Sequence, residues 1–134
     1  MADYTIQVTT NRPYDETVQA VREQLAEAGF GILTEIDLKA TLKHKLDVDI
    51  DPQIILGACR PQLAHLAMQA EPSIAALLPC NVVVRSVSDD RTVVEAFDPQ
   101  IMMSIAEDAG DAVREVAEDA RTRLAAALDA VATP

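Results

Sequence analysis

Residues 82–87 and 92–97, VVVRSV and TVVEAF, are two extended apolar runs on either side of Asp89-Asp90. β-Branched runs joined by a short polar turn read as a β-hairpin. No other feature constrains the chain as much. Strands joined by a tight turn run antiparallel, whereas parallel neighbours need a long crossover. A doubly wound parallel sheet requires strand and helix to alternate throughout. The hairpin breaks that alternation, which leaves the parallel sheet as the second choice.

The rest of the chain switches between the two periodicities. Residues 4–9, YTIQVT, alternate, with Tyr4, Ile6 and Val8 on one face. From Pro13 to Ala28, Tyr14, Val18, Val21 and Leu25 recur at helical spacing, and Gly29 is a natural stop. Phe30, Ile32, Thr34 and Ile36 alternate again. Asp37 suits the cap of a short helix carrying Leu38, Leu42 and Leu46. QIILGA, 53–58, reads as a more fully buried strand. Pro61 fits the first turn of a helix with Leu63, Leu66, Ala67 and Ala70 on one side, ended by Glu71-Pro72. Residues 72–79 read as a loop with an apolar centre. Asp98-Pro99 starts a helix holding Ile101, Met102 and Ile105. After Gly110, Val113, Val116, Ala117, Ala120, Leu124, Leu128 and Val131 mark a long amphipathic helix. The order β-α-β-α-β-α-β-β-α-α predicts one α+β domain, a two-layer sandwich with a mainly antiparallel sheet and helices on one face.

Composition narrows the function. The net charge of −11 comes from 22 acidic and 11 basic residues. A duplex binder needs a basic face to replace phosphate counterions. The densest basic stretch, Lys39, Lys43 and Lys45, is hemmed in by Asp37, Asp47, Asp49 and Asp51. Neither nucleic acid nor an anionic membrane is an expected partner. Aromatics are only 3%, so base-stacking platforms are not expected. The N-terminal residues lack the basic and apolar regions of a signal peptide, and no apolar run approaches a membrane span. The chain reads as cytoplasmic, and its two cysteines, Cys59 and Cys80, as free thiols.

Those cysteines are the candidate thiol or metal ligands. Cys59 precedes a helix start and neighbours Arg60, which predicts a depressed thiol pKa. Cys80 follows Pro79 at a strand start. The plain alternative is that both pack as small hydrophobes. Their wide separation is unlike the close Cys pairs of zinc sites. A Cys/Met set drawing on Met68, Met102 or Met103 would suit Cu(I) instead. His65 falls on a helix flank and His44 in a charged stretch, so neither is an expected ligand. The acidic pairs, Glu118-Asp119 among them, read as solvated surface. No phosphate-binding loop or nucleophile elbow occurs, and Cys80 and Arg85 have the wrong spacing for a phosphatase loop. No catalytic residue set is visible.

Three phrases, EIDLKATLKHKLDVD at 35–49, ILGACRPQLAHLAMQAEPSIAALLPCNVVV at 55–84, and Asp98-Pro99 after the hairpin, resemble the mainly bacterial family catalogued as domain of unknown function 302. The resemblance spans most of residues 3–105 and implies a two-layer fold with a curved antiparallel sheet, similar to the TATA-binding-protein-like class, and a homodimer. It implies no reaction. The expectation is therefore a dimeric domain that binds a small apolar ligand or a protein partner in the groove between sheet and helices. Ile74, Leu77 and Leu78 would form an interface or pocket lip. The alternative is a thiol redox or soft-metal site, Cu or Zn, at Cys59 and Cys80.

Overall fold

The structure is a computed structural model describing residues 2–132. Five strands form one sheet: β1 (Thr5–Thr10), β2 (Gly31–Asp37), β3 (Gln53–Cys59), β4 (Cys80–Ser88) and β5 (Arg91–Phe97). Their order is β1-β5-β4-β3-β2, and all four pairings are antiparallel. The hairpin at Asp89-Asp90 becomes β4–β5, and a parallel sheet is excluded.

The helices are α1 (Tyr14–Glu27), α2 (Leu38–Leu46), α3 (Pro61–Ala70), α4 (Ile101–Ile105) and α5 (Asp111–Ala132). Local chemistry sets their ends. Asp37 caps α2 by accepting a hydrogen bond from the Ala40 amide at 2.9 Å. Gly29, at φ 90°, ends α1. There the Phe30 amide bonds the Leu25 carbonyl and the Gly29 amide bonds the Ala26 carbonyl, a Schellman closure with Phe30 and Leu25 both buried. Pro61 occupies the first turn of α3. Residues Pro72–Leu77 wind into a 3-10 helix rather than a loop, with Glu71 accepting from the Ser73 amide.

Strand alternation sorts the side chains into two faces. Ile54, Leu56, Ala58, Val82, Val84, Val94 and Ala96 meet α1 and α5 in the main core. Leu25, Leu124 and Leu128 fill the space between sheet and helices. The α5 stripe is buried as its period predicts. A second, smaller cluster lies where α3, the 3-10 helix and the first half of α5 meet. It is built on Ala67, Ile74, Val113 and Val116.

The opposite face of the sheet carries Thr5, Val83, Arg85, Glu95 and Phe97 around a depression of about 290 Å³. Val83 and its cross-strand neighbours Ile55 and Glu95 lie outside the main core. One Arg–Glu pair spans two strands there.

Candidate functional site

Strands β3 and β4 bring the cysteines to one end of the sheet. Ala58 is paired with Cys80, so Cys59 is one residue past that pairing. Gly57 permits the approach. A Cβ at Gly57 would stand 2.1 Å from Thr34 Oγ1 and 2.8 Å from Pro79 Cγ. Pro79 therefore lies directly over β3, and Cys80 begins β4 beside it.

Cys59 and Cys80 line the same pocket, with Phe30 and Arg60 beside them and Met102 contributed by α4. Ala64 and Ala67 of α3 and Ala120 of α5 complete much of its wall. The small side chains leave space where larger ones would close it. The cavity is about 30 Å³, room for about two or three water-sized atoms. Its lining is almost wholly apolar apart from the thiols and the guanidinium of Arg60.

Both cysteines are free thiols. Burial raises the Cys59 pKa. The sequence predicted the reverse. The Arg60 charge is directed at Asp119, and desolvation of the half-buried thiol dominates. Cys80 is only 5% exposed and is pushed up to about 11, by burial first and by the neighbouring Cys59 second. At neutral pH both are thiols, not thiolates.

A charge cluster adjoins the pocket. Asp119 accepts from Arg60 Nη1 at 2.7 Å and from Arg123 Nε at 2.9 Å. Arg123 Nη1 also reaches the Ala28 carbonyl at the end of α1. Two cations thus share one carboxylate. Arg60 Nε is buried and has no hydrogen-bond partner. An unpaired buried donor calls for an occupant or an explanation.

Sequence reasoning missed this cluster. Asp119 and Arg123 are four apart on α5, a spacing that could have flagged the pair. Their link to Arg60 is tertiary. The remaining candidates are scattered. Ile74 is 1% exposed and lines the pocket from within rather than at its lip. Leu78 lines it half-buried, and Leu77 borders a neighbouring depression with Ile105 and Ala106. His65 and His44 are exposed, and Met68 also faces outward. Lys39 donates to the Ile50 carbonyl, and Lys43 pairs with Asp47 and Asp49, so the basic stretch is engaged within its own segment. Among the described residues, no three His, Cys, Asp or Glu side chains converge on a metal position, and no helix is long and apolar enough to cross a membrane.

Comparison with known proteins agrees with this architecture. The family model described as "Domain of unknown function DUF302" matches residues 6–131. The crystal structure of an uncharacterized conserved DUF302 protein from Bacillus stearothermophilus superposes with a TM-score of 0.85. It is 29% identical, and the match covers 96% of this chain and 98% of that one. No curated protein matches.

Proposed function

This chain belongs to the DUF302 family, and from that premise we propose that it is a cytoplasmic binding domain that works as a homodimer, pairing through the open face of its sheet. The observation that carries this reading is the face's charge. The chain bears −11 overall, yet the depression on this face holds one carboxylate, Glu95, and one cation, Arg85, bonded to each other at 2.7 Å. A two-fold interface presents the same patch to itself, so it must be self-compatible. A neutral face with an apolar centre at Val83 and Phe97 meets that demand on an otherwise repulsive molecule.

Size supports the reading as well. Five strands span about 24 Å, and six residues along them about 20 Å. The flat area is about 480 Å², and side-chain relief enlarges it toward the roughly 800 Å² per partner of a standard interface. The acidic surface outside this face disfavours nucleic acid and anionic membranes. Leu25, Leu124 and Leu128 pack between sheet and helices.

Sedimentation equilibrium tests the pairing. One chain is 14.5 kDa, and the native protein is expected at twice that mass. Val83→Glu places an uncompensated charge on the face without touching the main core. It is expected to run as a folded monomer. A native monomer at micromolar concentration would contradict the proposal.

A further inference from the structure

The pocket between β3, β4, α3 and α4 has three sulfur-bearing residues in its lining, Cys59, Cys80 and Met102. They come from three separate stretches of chain and meet at one end of the fold. We propose that this pocket binds a single Cu(I) ion through the two cysteine sulfurs and the Met102 thioether. The proposal is independent of the subunit pairing above.

Four observations carry it. The first is size. Organic ligand pockets run to roughly 300–1,000 Å³, whereas this cavity of about 30 Å³ admits only a guest of atomic dimensions.

The second is donor type. Soft thiolate and thioether ligands select Cu(I). Zinc takes four ligands from Cys, His and carboxylate in its structural sites, and no third such residue joins the cysteines among the described residues.

The third is surroundings. Met102 is 2% exposed, and the wall around it is alanine, leucine and phenylalanine. Water needs two to four polar partners to be held in a cavity, and this one offers few. A soft ion that prefers sulfur to water is under no such demand.

The fourth is charge. Binding breaks two S–H bonds and forms two Cu–thiolate bonds and one Cu–thioether bond, and both protons leave to solvent. Copper stays monovalent and no electron is transferred. Two thiolates and one Cu(I) leave a net charge of minus one. Arg60 lines the pocket, and the cluster it forms with Asp119 and Arg123 has two cations to one carboxylate. Glu118 and Glu115, the next acidic groups toward the start of α5, are exposed. The buried Nε of Arg60 has no hydrogen-bond partner. Arg60 thus lines the pocket with its Nη1 on Asp119 and its Nε beside Gly29.

Anaerobic titration of the full chain with Cu(I) against a chromophoric chelator tests the assignment. The native protein is expected to withdraw one Cu(I) per chain and to gain thermal stability in doing so. Cys59→Ala and Cys80→Ala are expected to lose at least about 100-fold in affinity, because even outer-shell changes at metal sites cost about 10–100-fold. Met102→Leu conserves volume and is expected to fold normally, so it reads ligation free of any folding defect. It is expected to lose about tenfold. Zn(II) is not expected to compete. Failure of the native chain to hold copper against the chelator would overturn the proposal. So would equal affinity in the Cys59→Ala/Cys80→Ala double variant, or full affinity in Met102→Leu.

Discussion

The main core of this molecule and the pocket at the end of its sheet are built by different means. Beneath the sheet, Leu25, Leu56, Leu124 and Leu128 pack with Val82, Val84 and Val94, all of them almost wholly buried. At the end of the sheet, a pocket is walled by Ala64 and Ala67 of α3 and Ala120 of α5, with Cys59, Cys80 and Met102 also in its lining. Alanine brings helices close but fills little volume. A region built from large aliphatics supplies stability. A region built from alanine and sulfur holds a small, chemically distinct hole. The contrast suggests that the first region carries the fold and the second the binding chemistry.

Substitutions can break that contrast in order of effect. Leu124→Ala, in the filled region, is expected to cost about 2–5 kcal/mol, a large part of a typical domain stability of about 5–15 kcal/mol. Chemical denaturation reads this directly, as a lower midpoint with little change in slope. Gly57→Ala is the next largest. Its Cβ would collide with Thr34 Oγ1 and with the rigid Pro79 ring, for an expected loss of about 1–3 kcal/mol. It should also displace Cys80 from Cys59 and weaken copper retention, whereas Leu124→Ala should spare the metal site.

A smaller effect sharpens the comparison at the thiols. Both are raised by burial, Cys80 to about 11. Alkylation by iodoacetamide near neutral pH is expected to be slow at Cys59 and slowest at Cys80, since the thiolate is the reactive form. Mass spectrometry of the labelled peptides gives the order. Fast labelling of Cys80 would mean that the end of the sheet opens readily.

The smallest effect concerns the open face. The Thr5 hydroxyl, at 2.6 Å, and then Arg85 hold the Glu95 carboxyl below its ordinary value of 4.5. Its contribution is therefore present above the unfolded pKa and is lost as pH falls through the folded one. Glu95→Gln is expected to lower neutral stability by less than about 1 kcal/mol and to flatten the acid limb by the same amount, leaving stability at low pH nearly unchanged.

Much of the fold is legible in the sequence because its signals are local. The Asp89-Asp90 turn, the Asp37 cap, the Gly29 stop and the α5 stripe each depend on a few neighbouring residues. Errors arise where tertiary contact decides. Leu66 reads as core, but α3 docks through Leu63, Ala64 and Ala67, which leaves Leu66 52% exposed. Residues 72–79 read as a loop because a short 3-10 turn has no period to detect. The site is legible only as fragments. Cys59, Cys80 and Met102 can each be named as soft donors, but their convergence depends on the β3–β4 register and on where α4 docks. The sharing of Asp119 by Arg60 and Arg123 is legible only in part, because Arg60 is remote from both in the chain.

The most direct measurement of the central claim is X-ray absorption at the copper edge of the Cu(I)-loaded chain. The account predicts a first shell of sulfur alone, with three scatterers in the native protein and two in Met102→Leu. A first shell containing nitrogen or oxygen, or one unchanged when Cys59 and Cys80 are replaced, would contradict it.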